Sequence, residues 1–302
     1  MDATKEVLDR FRRAQALAYA CVEAVGADLV AGQSERDVCA VMEHWLTDRG
    51  VREWFHQPFA WFGDRTAFVA SPVWTPLHFF PTRRRLVEGM PVILDVAPVL
   101  DGATADVGYA LWFGASDPLH ARMLEDLAPH RDLILEGVRA ERTLQQIYRD
   151  VDDLLADQGY RSVHRQYPFS VIAHRVDDRL DPPHAAPAFI TRRRVAGFGM
   201  GAQRFLAEEL GGAVRGRVAS PLWNGTRISD LRATHGLWAV EPHFGFRSMG
   251  VKWEELLVVD DADAFWLDDD LPHVRRWRDA GADAEAGAAA DAAARIPAGA
   301  LA

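Results

Sequence analysis

The sequence predicts an α+β domain made of two similar halves, with antiparallel strands inside and helices outside. Three observations carry that prediction. Residues 30–50 (VAGQSERDVCAVMEHWLTDRG) and 139–159 (RAERTLQQIYRDVDDLLADQG) read as two copies of one amphipathic helix, aligning Ser34 with Thr143 and Gly50 with Gly159. Each copy is preceded by a further helical stretch, 3–28 in the first and 116–137 in the second, and followed by an aromatic, extended segment. Two apolar runs, PVILDVAPVL and TADVGYALWFG, are joined by Asp101-Gly102, a dipeptide suited to the positive φ angles of a two-residue hairpin turn.

The elements follow in order. The N-terminus, MDATKEVLDRFRR, is charged and amphipathic and has no apolar core of the kind a secretory leader needs. In each repeated helix a hydroxyl residue, Ser34 or Thr143, stands where an N-cap belongs, and a glycine stands where the chain must turn out of the helix. Val38, Val41 and Trp45 in the first copy meet Ile147, Asp150 and Leu154 in the second, with apolar spacing near the helical period in both. VREWFHQPFAWF and YRSVHRQYPFSVIAH follow as strand-like segments, and GLWAVEPHFGF and WEELLVV read as a second strand pair. The domain therefore spans 1–278, with halves at about 1–114 and 115–278. The Ala-rich tail, 279–302, has almost no large apolar side chains and should be disordered or a frayed helix.

Composition narrows the function. A chain of 302 residues is long enough for one large core, and a net charge of −10 argues against nucleic acid or an anionic membrane as partner. No run approaches the roughly 18 apolar residues of a membrane helix. The two cysteines, Cys21 and Cys39, sit in helical patterns and read as small core residues, which fits a reducing, cytoplasmic setting. A homodimer is compatible with Trp54, Phe55, Trp61 and Trp74, which read either as a dimer surface or as the lining of a pocket mouth.

Asp95, Asp106, His174, Glu241 and Glu254 carry the chemistry. Asp95 ends the apolar run PVILD, Asp106 follows eleven residues on, His174 ends FSVIAH, and Glu241 and Glu254 sit inside GLWAVEPHF and VKWEELLVV. A carboxylate in a buried strand costs several kcal/mol unless it is paired, hydrogen-bonded or metal-bound. Four carboxylates and an imidazole converging from two halves suit a two-metal site, where cations compensate the charge.

In these residues the chain resembles the pita-bread metallohydrolases: methionine aminopeptidase, aminopeptidase P, prolidase and creatinase. The shared pattern is an Asp, a second Asp in a D-G-containing hairpin, a His, a Glu followed by Pro (here Glu241-Pro242), and a last Glu in a late strand. The resemblance spans roughly residues 5–268. It implies a pita-bread fold, a curved antiparallel sheet covered by helices, and two divalent ions (Mn, Co, Fe or Zn). Asp106 and Glu254 would bridge them, Asp95 would bind one, and His174 with Glu241 the other. His78, in TPLHFFPT, stands where proline-directed members carry a pocket histidine, and would hydrogen-bond substrate and help proton transfer. The alternative for His78 is a structural histidine in an aromatic loop.

The sequence also departs from the family. The metal histidine of the peptidases usually lies in a glycine-rich context with a second histidine about seven residues later. Here Arg175 and Val176 replace the glycines, and His184 comes ten residues on, beside Pro182, Pro183 and Pro187. His184 reads either as that second, catalytic histidine or as an exposed loop residue. Arg192, Arg193 and Arg194 read as a solvated face or as a grip on a substrate carboxylate. His243 shares a strand face with Glu241 if the strand runs through Pro242, which would make it substrate-binding; the alternative is a histidine behind the ligands or at the surface. The extra N-terminal domain of prolidase-like members is not matched.

The expected function is a dinuclear metal-dependent hydrolase of small peptides or amides, an aminopeptidase or dipeptidase, with Xaa-Pro specificity as one option. A creatinase-like C–N hydrolase or lyase on a small metabolite is the alternative that keeps the site. A non-catalytic binding module on the same fold is the third reading.

Overall fold

The structure, a computed structural model, describes residues 4–69, 78–178, 192–195, 197–216 and 219–282. Residues 1–268 form one compact unit and 269–302 another. In the second, residues 272–282 are helical. The disordered tail expected over 279–302 lies, from 283 on, outside the described residues.

The first unit opens on two helices, α1 (Lys5–Ala27) and α2 (Glu35–Asp48). Strands β1 (Glu53–Phe62), β2 (Met90–Leu100), β3 (Ala103–Thr104) and β4 (Val107–Phe113) follow. Helices α3 (Pro118–Glu125), α4 (Ala128–Arg139) and α5 (Leu144–Asp157) open the second half. The helix expected over 116–137 is thus two, broken near Pro129, which lacks an N–H and disfavours helical backbone before it. Then come β5 (Arg161–Ser162), β6 (Val171–Val176), β7 (Arg194–Val195), β8 (Phe198–Gly199) and α6 (Met200–Val214). The chain continues through β9 (Leu222–Asn224), β10 (Gly236–Val240), β11 (His243–Phe246), β12 (Met249–Lys252), β13 (Glu255–Val259) and β14 (Ala264–Trp266).

The repeated helices end as the sequence demands. Ser34 and Thr143 each cap their helix through a reciprocal capping box, with Asp37 and Gln146 respectively. Gly50 and Gly159 leave them with φ of 98° and 81°. The Asp101-Gly102 turn has both φ angles positive, at 48° and 79°, and Leu100 pairs with Ala103 across it.

The strands form a sheet around β1-β2-β4, a second ordered β14-β13-β10-β6-β9, and a small third of β12-β11-β5. All pairings are antiparallel. Bridges from Tyr109 to Trp253 and from Ala103 to Asp178 tie the first half to the second. The expected second strand pair is more divided than the sequence suggested. The chain from 236 to 246 splits at Glu241-Pro242, and β10 pairs with β13 while β11 pairs with β12. Glu241 and Glu254 stand at this split, where the ribbon passes from one sheet to the other.

The core explains several side chains. Cys21 and Cys39 are free and buried, as their helical positions suggest. Trp54, Phe55 and Trp61 are also buried, so they are core residues and not a dimer surface. Trp74 lies outside the described residues. Helix α1 reaches directly to the late ligand strand: Tyr19 donates to the carbonyl of Glu254 at 2.6 Å, and Gln15 accepts from the N–H of Leu256 at 2.7 Å.

Strand β12 is held against the turn after β1 by Gly250, whose N–H donates to the Thr66 hydroxyl at 2.9 Å. A Cβ on Gly250 would stand 2.0 Å from the Thr66 carbonyl oxygen, a backbone atom that cannot swing aside. Gly250→Ala should therefore lower stability by roughly 1–3 kcal/mol through overpacking. A urea denaturation curve checks this; an unchanged midpoint would mean that β12 is loosely seated.

Candidate metal centre

The strand registers bring the expected ligands to one seam. On β2, Asp95 pairs with Gly108 and Val96 with Val107, so the same ladder sets Asp106 diagonally from Asp95 on one face. In the second half, Ala239 pairs with His174 and Val240 with Glu255. The N–H of Glu241 donates to the Ile172 carbonyl at 2.7 Å, which carries Glu241 to the His174 face. Asp95, Asp106, Glu241 and Glu254 are 3%, 1%, 8% and 1% exposed, and His174 is buried with them.

Two further residues stand inside the set that sequence reasoning passed over. Lys252, fully enclosed, places its ammonium 2.9 Å from Asp95 Oδ2, 2.7 Å from Glu241 Oε2 and 2.9 Å from Glu254 Oε2. Its three N–H donors meet three carboxylates, a use for which a compact ammonium is better shaped than a guanidinium. The stem passes over Gly108, where a Cβ would lie 2.2 Å from Lys252 Cε. His56, on β1, has Nε2 at 3.0 Å from Asp106 Oδ1 and 3.2 Å from Asp95 Oδ1.

The electrostatics show an excess of acid. Burial would lower the Lys252 pKa, but Asp95, Glu241 and Glu254 hold it well above its ordinary value. Burial and then the charges of Asp106 and Glu241 push Glu254 well above the usual carboxylate range. Glu241 is also raised, by burial first. Burial opposes ionisation of Asp106, yet His56 and His174 carry its pKa below the ordinary value. Lys252 is the one lysine among the four acids. Against burial, Asp106 and Asp95 raise His56 and Asp106 raises His174, so the rest of the balance in the metal-free chain falls on the two imidazoles and on protons held by Glu241 and Glu254, a load that divalent cations would take over.

The donors fit divalent cations. Asp95 Oδ1 is buried and accepts no hydrogen bond among the described residues. Three groups of ligand atoms lie within 4.8 Å of one another: His56, Asp95 and Asp106; Asp106, His174 and Glu254; and Asp95, Glu241 and Glu254. The third is the corner that the Lys252 ammonium takes. Oxygen and imidazole donors of this kind suit Mn, Co, Fe or Zn.

The remaining candidates take other places. His78 is buried, with its ring 4.8 Å from Phe68 and 4.3 Å from Phe79. Phe68 packs in turn on Tyr167 and His243, and the Tyr167 ring lies 5.4 Å from Lys252 Nζ. His78 thus belongs to an aromatic layer beside the centre. His243 does not fit the substrate-binding expectation. The strand breaks at Pro242, and both ring nitrogens are used: Nε2 donates to the Thr66 carbonyl at 2.7 Å, and Nδ1 accepts from the Tyr167 hydroxyl at 2.8 Å. Burial, then the nearby Lys252 charge, pushes its pKa well below normal, so it is a neutral support for Tyr167.

The segment after His174 is tied down by its polar side chains. Arg175 projects to the opposite face and pairs with Glu209 at 2.9 Å. Thr104 donates to Asp177 at 2.9 Å, and Arg10 pairs with Asp178. His184, within 179–191, lies outside the described residues. Arg192 and Arg193 are exposed, and Arg194 pairs with Glu43 at 2.5 Å.

Comparison with known proteins agrees with this geometry. The sequence pattern of metallopeptidase family M24 matches residues 9–261. An uncharacterized peptidase of Staphylococcus haemolyticus is 27% identical over 153 residues, 51% of this chain and 41% of that protein. A second, from Staphylococcus aureus, is 22% identical over 157 residues, 52% of this chain and 42% of that protein. The chain thus spans under half the length of these relatives in the matched region. Among solved structures, an X-Pro aminopeptidase of Thermotoga maritima superposes with a TM-score of 0.62 at 12% identity, covering 89% of this chain and 62% of that one. A dipeptidase of Pyrococcus horikoshii gives 0.60 at 16%, covering 87% and 60%. Methionine aminopeptidase of Rickettsia prowazekii gives 0.56 at 13%, covering 87% of this chain and 97% of that one. These likenesses establish the α+β pita-bread fold.

Lys252→Met should destabilise the chelator-treated protein by about 3–5 kcal/mol, because three buried carboxylates lose their shared counter-charge. Urea denaturation in chelator measures it. A loss below about 1 kcal/mol would show that the carboxylates are neutralised some other way.

Proposed function

Because this chain belongs to metallopeptidase family M24, and is a metallohydrolase by that membership, we propose that it is an aminopeptidase or dipeptidase of small peptides. The observation that carries the reading is the convergence of Asp95, Asp106, His174, Glu241 and Glu254 on one buried, acid-rich seam. In this reading Asp95, Asp106, His174, Glu241 and Glu254 would hold the divalent ions, with Asp106 and Glu254 contributing from the two halves of the seam. A divalent ion held there would lower the pKa of a coordinated water toward neutrality and polarise the scissile carbonyl.

The chain's own groups do the rest. Phe55 stacks on the His174 ring at 4.7 Å with the planes 5° apart, which fixes the imidazole and helps exclude water. His174 Nδ1 donates to the Arg175 carbonyl at 3.1 Å, so Nε2 faces Asp106. Lys252 holds Asp95, Glu241 and Glu254 in place by one charge. His78 is the group we assign to hydrogen-bonding the substrate, through the aromatic layer it shares with Phe68 and Phe79. We also assign the protein to the cytoplasm, where its two free, buried cysteines would stay reduced.

One observation favours a second reading. The segment after His174 carries Arg175, Asp177 and Asp178 in ion pairs and hydrogen bonds, where the peptidases usually have a glycine-rich turn. A differently shaped pocket would suit creatinase-like C–N hydrolysis, or lyase chemistry, on a small metabolite.

Asp106→Asn keeps the side-chain shape but removes the shared charge. Hydrolysis should fall at least about a hundredfold, beyond the usual effect of a residue behind a ligand, while circular dichroism is retained. Chelator should have the same effect on the unaltered chain, reversed by Mn(II) or Co(II). A panel of dipeptides, Xaa-Pro peptides, N-terminal Met peptides and small amidines assigns the substrate. Turnover of amidines alone would replace the peptidase reading, and full activity in Asp106→Asn would remove the metal from it.

A further inference from the structure

We propose that His56 is a metal ligand, completing with Asp95 and Asp106 a first-half site that mirrors the use of His174 in the second half. The proposal rests on the metallohydrolase reading above and adds a residue to it.

Four features of the chain point the same way. The first is the ring's orientation. His56 Nδ1 lies 2.7 Å from the Gln57 carbonyl, which can only accept, so Nδ1 must carry a proton. Nε2 is therefore the atom turned to the carboxylates. His174 has the same arrangement, with Nδ1 on the Arg175 carbonyl and Nε2 3.3 Å from Asp106 Oδ2. The two imidazoles thus address the two oxygens of Asp106, His56 facing Oδ1.

The second is spacing. Two donors each about 2.1 Å from one ion stand about 3.0 Å apart at a right angle and about 3.4 Å apart at the tetrahedral angle. His56 Nε2 is 3.0 Å from Asp106 Oδ1 and 3.2 Å from Asp95 Oδ1. The third is the unsatisfied atom: Asp95 Oδ1, in a carboxylate only 3% exposed, accepts no hydrogen bond among the described residues. Its other oxygen is taken by Lys252. Nε2 and these two carboxylate oxygens surround one point, where a cation would take the place of the proton that Nε2 otherwise shares with them.

The fourth is the backbone. Phe59 pairs with Asp95 and His56 with Ala97, so β1 spends three residues where β2 spends two. That bulge, next to Pro58, turns His56 onto the ligand face, and bulges re-aim side chains in this way beside active sites. Opposite it stands Ala97, small enough to leave the space open. In the second half His174 likewise stands opposite an alanine, Ala239.

The test uses the full chain, stripped with chelator and reloaded with Zn(II). Long-range proton–nitrogen correlation of the 15N-histidine-labelled protein reads each ring nitrogen, and elemental analysis after dialysis reads the stoichiometry. On loading, the Nε2 resonances of both His56 and His174 should move to the metal-coordinated range, with Nδ1 of each remaining protonated. His56→Ala should weaken one ion at least about tenfold and leave the His174 shift intact. His56→Gln, which preserves bulk, repeats the measurement if the alanine variant folds poorly. Zinc bound with full affinity in both variants, and a His56 Nε2 that stays hydrogen-bonded on loading, would overturn the assignment while leaving the metal reading standing. An unaltered chain that binds no metal would overturn both.

Discussion

Four carboxylates are buried at one seam with a single built-in cation among them, and the rest of the structure serves that imbalance. Lys252 reaches three of them at once, which a long, enclosed stem makes possible only because Gly108 leaves its path clear. An isolated carboxylate at such burial would take up a proton or unfold its surroundings. Here the charge is held by geometry: Tyr19 and Gln15 of α1 grip the backbone at Glu254 and two residues after it, and Asp177 and Asp178 clamp the His174 strand to the first half. One ammonium does not balance four acids. The two imidazoles and protons on Glu241 and Glu254 carry the rest in the metal-free chain, and the same oxygen and imidazole donors suit divalent ions, in keeping with membership of metallopeptidase family M24.

The duplicated halves explain how residues so distant in sequence meet. Each half lays a strand ladder whose inner face carries acids, and each brings a histidine on the neighbouring strand opposite an alanine. The halves are not copies in detail. The first uses a tight Asp101-Gly102 hairpin to set Asp95 and Asp106, while the second breaks its ribbon at Pro242 to set Glu241 and Glu254. Different local devices reach one result, carboxylates at the seam with their backbone fixed by antiparallel pairing.

Much of this was legible in the sequence because it depends on local chemistry. Capping residues, helix-ending glycines and the Asp-Gly turn each obey rules read from two to four residues, and acids inside apolar strands announce a compensating charge. What escaped depends on packing. His56 reaches the centre through a bulge, which shifts the alternation that a strand pattern assumes. Lys252 did leave a signal: it stands two residues before Glu254, and it is one of only two lysines, with Lys5, in an arginine-rich chain. The buried tryptophans and His243 misled for the converse reason, since nothing local tells an enclosed aromatic or a doubly hydrogen-bonded histidine from an exposed one.

If the seam is short of positive charge and divalent ions supply it, metal must stabilise the fold. Thermal denaturation of the unaltered chain across a range of free Mn(II) or Co(II), from chelator upward, measures this. The Tm should climb with the logarithm of free metal, reaching a stabilisation of about 2.7 kcal/mol at a hundredfold excess over Kd. The same Tm in chelator and in saturating metal would contradict it.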